Sequence, residues 1–217
     1  MILIPVKNLA TAKQRLARLF DQATRTQLAK AMLQDVLQVL SSWSARPAVS
    51  LVTNDPFALE LARHFDFEVI PDHENRGETK AIEMATRQCE ERGIDSTLVM
   101  PGDIPLIEVW ELEEIMEAAP EEGSLLVPAA DGRGSNAVFR RPAGLFPLRF
   151  GNDSFQPHLA AARATGKPCV ILPLPGIALD IDNPADLRQL ADAPGETRSQ
   201  GLIRQWDLSE LLLAANE

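Results

Sequence analysis

Met1-Ile-Leu-Ile-Pro-Val6 runs without a break into Lys7-Asn-Leu-Ala-Thr-Ala-Lys13-Gln-Arg15. The apolar run reads as a buried strand and the cations as the loop just past its end. In an open α/β sheet that position, outside the carboxyl end of a strand, is where phosphates are received. The positive charge is local. Through residue 30 the basic side chains are Lys7, Lys13, Arg15, Arg18, Arg25 and Lys30, opposed by Asp21 alone, whereas the whole chain has 21 Lys and Arg against 31 Asp and Glu and a net charge of −10.

With 217 residues, 45% of them hydrophobic, the chain is long enough for one substantial core and short for two. A single domain over 1–217 is expected, with a turn-rich link at about 193–201 and a last amphipathic segment, 202–214, that could cover a sheet edge or make a homodimer. The opening apolar run is too short for a secretory leader, and no apolar run approaches the roughly 18 residues of a membrane span. Cys89 and Cys169 suggest neither a disulfide framework nor a metal knuckle. A cytoplasmic protein is expected. Its acidic total argues against nucleic acid as a partner, because that binding rests on neutralising phosphates with Lys and Arg.

Short apolar runs alternate with stretches of helical period, the pattern of a mostly parallel sheet with helices on both faces. Strands are expected at 1–6, 48–53, 67–70, 97–101, 124–128, 136–139, 168–172 and 177–181. Leu28, Met32, Val36, Val39 and Leu40 form one helical stripe, and further helices are expected at about 56–64, 79–92, 108–118, 153–165 and 184–191. Asp55-Pro56 and Asn183-Pro184 each place a capping side chain before a proline suited to the first helical position.

Four stretches carry chemistry. Thr97-Leu-Val-Met-Pro-Gly-Asp103 is a strand ending in a carboxylate that should point into the crevice, where it could hold Mg²⁺ together with substrate phosphates. Gly176-Ile-Ala-Leu-Asp180-Ile-Asp182 reads as a second strand ending in carboxylates. Asp182 or Asn183 can cap the following helix, which leaves Asp180 as the candidate second metal ligand and Asp182 as its alternative. In Asp131-Gly-Arg-Gly-Ser135-Asn136-Ala137 a Gly-x-Gly-x-x-Ala pattern appears, but the Val-Phe-Arg-Arg-Pro that follows cannot open a helix, so a dinucleotide fingerprint is rejected. Its backbone N–H groups could still face an anion. Arg149-Phe-Gly151-Asn-Asp-Ser154-Phe155 combines glycine, hydroxyl and a helix start, a possible anion cradle, with Asp153 or Ser154 as a plain cap the simpler reading. His64, His73 and His158 lack ligand spacing and are expected in surface or capping roles. The acidic run from Glu108 to Glu122 is expected to be a solvated helix face.

Taken together, Ile4-Pro-Val-Lys7 with Ala12-Lys13-x-Arg15-Leu16, Gly102-Asp103-Ile-Pro-Leu, Gly134-Ser135-Asn136-Ala137, Phe150-Gly-x-Asp-Ser154-Phe155 and Leu179-Asp180-Ile-Asp182-x-Pro-x-Asp-Leu187 resemble the CofC/FbiD family, guanylyltransferases of coenzyme F-420 biosynthesis. The resemblance covers residues 1 to about 190. It implies a GT-A-like (Rossmann-like) nucleotidyltransferase fold, Mg²⁺, and transfer of GMP from GTP to 2-phospho-L-lactate, phosphoenolpyruvate or 3-phospho-D-glycerate with release of pyrophosphate. It implies Asp103 and Asp180 as metal ligands and as catalytic groups with Lys13 and Arg15. Nucleotide contacts would come from Pro5, Lys7, Lys13, Arg15, Gly77 and Thr79, and acceptor contacts from Ser135, Gly151 and Ser154. One departure stands out: where the family commonly shows Gly-Leu-Asn, this chain reads Gly77-Glu78-Thr79. Asn152 replaces a proline. The alternatives are another nucleotidyltransferase of this fold, such as a molybdopterin guanylyl- or sugar-phosphate cytidylyltransferase, or a non-catalytic nucleotide-binding protein.

Overall fold

The structure, a computed structural model, describes residues 1–74, 76–151 and 153–206. Seven strands form one sheet: β1 (Ile2–Val6), β2 (Val49–Thr53), β3 (Glu68–Ile70), β4 (Thr97–Val99), β5 (Gly123–Pro128), β6 (Ser135–Arg141) and β7 (Cys169–Ile171), in the order β3-β2-β1-β4-β6-β5-β7. β6 runs antiparallel to both its neighbours, and the other pairings are parallel. The expected mixed, mostly parallel sheet is therefore present.

Period-two alternation divides β1 between two cores. Ile2, Ile4 and Val6 face α1 (Gln22–Ser42), α2 (Pro56–His64) and α4 (Val109–Ala118), whereas Leu3 faces α3 (Glu78–Glu91) and α5 (Phe155–Ala164). The stripe on α1 behaves as its spacing requires: Leu28, Met32, Val36 and Leu40 are fully buried. Asp21 caps α1 through Thr24 N, Asp55 caps α2 through Phe57 N and Ala58 N, and Asn183 caps α7 (Pro184–Asp192). No helix among the described residues is long and apolar enough to cross a membrane.

Pro5 explains where the crevice opens. A proline in the middle of a sheet removes a ladder donor. The register of β1 with β4 ends at Leu3 opposite Val99, with Met100 N donating to Leu3 O, while β1 stays paired to β2 through Val6. Pro5 thus falls where β4 has already turned away, and the gap beyond it is the mouth of the site.

Two expectations are corrected. Residues 177–181 are no strand: Pro175–Ala178 is a single helical turn, α6, after which Leu179–Asp182 runs on outside the sheet. Its alternating Ile177, Leu179 and Ile181 are all buried, the latter two against α1 and α7 rather than against strands. The turn-rich link is also shorter than expected, because α8 (Arg198–Gln205) starts inside it. The Asp35 carboxylate of α1 accepts from Arg198 N and Ser199 N, and so holds the α8 amino terminus. Of the amphipathic segment 202–214, residues 207–214 lie outside the described residues, as does Asn152.

Candidate active site

Two cavities of about 400 and 410 Å³ open side by side at the carboxyl ends of β1 and β4 and share Glu78, Pro101, Asp103 and Asp182. The first is bounded by the 129–136 loop, Phe150–Gly151, Asp153, Ser154 and Asp180. The second is bounded by Pro5–Leu9 and Thr11–Lys13. Of the residues expected to contact nucleotide, Pro5, Lys7 and Lys13 line the second cavity and Arg15 the first. Ser135, Gly151 and Ser154, the expected acceptor contacts, all line the first.

Lys13 is the central cation. Its backbone sits in the left-handed region at φ 56°, unusual for a residue with a side chain and frequent where a site stores strain. Its buried ammonium lies 2.5 Å from Asp103 Oδ2 and 2.9 Å from Asp182 Oδ1. Burial alone would lower its pKa, but the two carboxylates hold it above the ordinary lysine value. Arg15 reaches the other oxygen of Asp182 at 3.2 Å. Asp182 is therefore no helix cap. That role belongs to Asn183, and Asp186 accepts from both Asp182 N and Asn183 N.

Asp180 has a different environment. Its Oδ1 accepts from Asn136 Nδ2 at 2.9 Å, and the same amide reaches the carbonyls of Ile177 and Ala178. Burial, reinforced by Asp103 and Asp182, pushes the Asp180 carboxyl above its usual range. Such a desolvated carboxylate, with no basic partner among the described residues, would gain from a hard cation. A bond from Ile181 N to Asp103 O ties the two acidic segments together. Among the described residues no three His, Cys, Asp or Glu side chains gather as a metal cluster. Asp103 and Asp180 are oxygen ligands of the kind a hard cation takes, and are the residues that could hold one here.

Two expected nucleotide contacts fall elsewhere. Gly77 and Thr79 line neither cavity, and the Thr79 hydroxyl accepts from Phe150 N at 3.0 Å, pinning the acceptor-side loop. Glu78, between them, lines both cavities. Burial raises its carboxyl to about 7, opposed by Lys7 and Lys13 and reinforced by Asp103 and Asp182.

The glycine-rich loop does not offer its backbone to an anion. Arg133 N and Gly134 N donate to Asp131 Oδ1, Gly132 N to Ala129 O and Ser135 N to Ser154 Oγ. The start of α5 is similarly engaged: Phe155 N donates to Arg133 O, and residue 157 is a proline without a donor. Neither plain-cap reading holds, since Ser154 makes no side-chain cap and Asp153 pairs with Arg133 at the rim. Gly151 has φ 122°, a conformation that L side chains rarely adopt.

His158 and Glu111 also depart from expectation. His158 is buried, bonded to Ser135 Oγ and Arg149 N. Glu111 is fully buried, accepting from Glu108 N, Gly176 N and Ile177 N, so it fastens α4 to the turn that leads into Asp180. A Cβ on Gly176 would lie 2.3 Å from Leu106 O, so only glycine allows this approach. Sequence alone assigns no site role to Asn136, Glu78, Arg133 or His158. A signal existed for His158 and Glu111, whose helical spacing places them beside Leu159 and Leu112 on buried stripes.

A crevice at the carboxyl ends of parallel strands, joining a cationic loop to paired carboxylates, is the arrangement of a nucleotidyltransferase. A solved structure described as a nucleotide-diphospho-sugar transferase from Desulfovibrio desulfuricans G20 has the same fold, with a TM-score of 0.78 at 20% identity over 99% of this chain and 96% of that one. The chain belongs to the Guanylyl transferase CofC like family, whose model matches residues 1–210. It is 35% identical over 189 residues to a phosphoenolpyruvate guanylyltransferase of Sphaerobacter thermophilus, covering 87% of this chain and 90% of that protein. It is also 35% identical over 193 residues to one of Rubrobacter xylanophilus, covering 88% and 93%.

Proposed function

We propose that the protein transfers GMP from GTP to a phosphorylated three-carbon acid and releases pyrophosphate, as a step of coenzyme F-420 biosynthesis in the cytoplasm. The relatives' names favour phosphoenolpyruvate over 2-phospho-L-lactate and 3-phospho-D-glycerate as acceptor. The observation that carries the reading is the meeting of two cavities at Glu78, Pro101, Asp103 and Asp182, one bordered by Lys7 and Lys13 and the other by the hydroxyls of Ser135 and Ser154, so that a donor and an acceptor can meet there. Free thiols at Cys89 and Cys169 accord with a reducing compartment.

A phosphate oxygen of the acceptor attacks the α-phosphorus of GTP in line. The new P–O bond forms as the bond to the β-phosphate oxygen breaks, giving a diphosphate-linked product and pyrophosphate. A phosphomonoester is largely ionised near neutral pH, so no side chain has to remove a proton. Charge neutralisation and alignment are what remain for the protein to supply. Lys7, Lys13 and Arg15 take the triphosphate and steady the departing pyrophosphate. Asp103 and Asp180 would hold Mg²⁺, which supplies Lewis-acid neutralisation of the phosphates when bound. Lys13, on the wall of the second cavity, presents its ammonium to the nucleotide. Ser135, Gly151 and Ser154 orient the acceptor.

Incubation with GTP, Mg²⁺ and each acid in turn, with pyrophosphate and product mass as readouts, tests this. A guanylylated acid with one equivalent of pyrophosphate is expected. GTP binding without pyrophosphate release from any acid would instead identify a non-catalytic nucleotide-binding protein.

A further inference from the structure

Both ring nitrogens of His158 have partners. Nε2 lies 2.9 Å from Arg149 N, and Nδ1 lies 3.0 Å from Ser135 Oγ. A backbone N–H can only donate, so Nε2 accepts. A neutral imidazole accepting at Nε2 carries its proton on Nδ1, which makes the ring the donor to Ser135 Oγ. Burial, with Arg140 adding to it, pushes the imidazole down to about 4, so the neutral form is the one present near pH 7. Ser154 is arranged alike by another donor, since its Oγ accepts from Ser135 N at 3.0 Å. Each hydroxyl therefore already receives a hydrogen, and among the described residues neither has a protein acceptor for its own. Both are buried, with 7% and 4% of their surface exposed, and both line the acceptor-side cavity.

We propose that His158 is a positioning residue for acceptor binding: held as the Nδ1–H tautomer, it takes one lone pair of the Ser135 hydroxyl and turns that hydroxyl's own hydrogen away from the ring, where beside the Ser154 hydroxyl it grips an oxyanion of the acid. This rests on the acceptor occupying the Ser135–Ser154 cavity. The grip favours an oxyanion because each hydroxyl has one lone pair already taken and its own hydrogen still to place, and an oxyanion offers acceptors to both. The oxyanion is the carboxylate or the phosphate of the same acid.

Two variants separate the arms of the ring. His158→Asn keeps an amide nitrogen near the place of Nδ1 and so keeps the donor to Ser135. His158→Gln carries its carbonyl near the place of Nε2 and keeps only the acceptor for Arg149 N. His158→Gln should raise the KM for phosphoenolpyruvate about tenfold, the worth of one hydrogen bond to a charged group, with the KM for GTP within twofold. His158→Asn should restore it most of the way. Competition by pyruvate, which has only the carboxylate, and by inorganic phosphate shows which oxyanion is held: the competitor weakened by His158→Gln is the one. Weakening of neither, or an equal rise in both KM values, overturns the proposal.

Long-range ¹H–¹⁵N spectra of the full-length wild-type protein at pH 7 read the tautomer directly. Protonated Nδ1 with bare Nε2 is expected, and the opposite tautomer or an imidazolium overturns the proposal. Absence of transfer to all three acids would bring down the functional reading, while the tautomer and the competitor affinities would still decide this one.

Discussion

Under the proposed function the two cavities would recognise anions by different physics. On the nucleotide side the groups are cations at the end of β1, and the principal one, Lys13, is almost completely enclosed between Asp103 and Asp182. The acceptor side shares those two carboxylates and adds Asp180 and Arg15, and what sets it apart is the pair of buried hydroxyls, Ser135 and Ser154. The ion pair of that side, Arg133 with Asp153, stands at the rim with 65% and 62% of the two side chains exposed, where such pairs contribute little. A lysine held by carboxylates would exchange part of that contact for a triphosphate, and under the proposed function a cation on Asp103 would ease the exchange. Hydroxyls with fixed hydrogens are ready beforehand and discriminate by direction. Charge thus gathers the donor, and hydrogen-bond geometry selects the acceptor.

Asp103 belongs to both cavities, so its loss should erase the contrast. Asp103→Asn removes the carboxylate proposed to hold metal and one partner of Lys13, and kcat/KM should fall about 10²–10³-fold, the scale on which one preorganised electrostatic group acts. Pyrophosphate release at saturating Mg²⁺ measures it, and activity within threefold of wild type would show that the metal lies elsewhere. Lys13→Ala should act on one side only. The KM for GTP should rise about tenfold or more with the KM for the acid nearly unchanged. The variant should also lose about 1–3 kcal/mol of stability in urea titration, less than a fully buried pair because Asp103 and Asp182 retain 30% and 37% exposure. Equal rises in both KM values would dissolve the distinction between the sides.

Most of the nucleotide side was legible in the sequence, because its parts are consecutive: an apolar strand, a proline that ends one pairing, then cations. Asp103 was legible for the same reason, as the end of a buried strand. Residues 177–181 misled because period-two burial records an extended chain with alternate side chains enclosed, whatever encloses them. Ile177, Leu179 and Ile181 are enclosed by helices for the most part. Charge misleads at Glu111 and the lack of ligand spacing at His158, while helical phase, with Leu112 and Leu159 on the same stripes, places both inside. Glu78 gave no local sign at all. An acidic residue in the first turn of a helix is ordinary, and only the tertiary approach of α3 to the end of β4 turns it towards Asp103.

Glu78 lines both cavities, and it yields the finest test of how they are joined. Its folded carboxyl stands at about 7 against an ordinary 4.5, so the native state holds the proton more tightly than the unfolded chain does. A carboxyl shifted upward contributes stability that is complete below about pH 4.5 and is lost as the pH rises through 7. Glu78→Gln has no proton to lose. The variant should match the wild type near pH 5 and become the more stable of the two by about 1–3 kcal/mol at pH 8, a range set below the full worth of the shift because the side chain is only partly enclosed. Urea midpoints from pH 5 to 8 in metal-free buffer measure the difference. A constant difference across that range would mean that Glu78 is solvated rather than enclosed between the cavities. A widening one would show that the unliganded seam is strained by its own carboxylates, the state that a cation and a triphosphate would then relieve together.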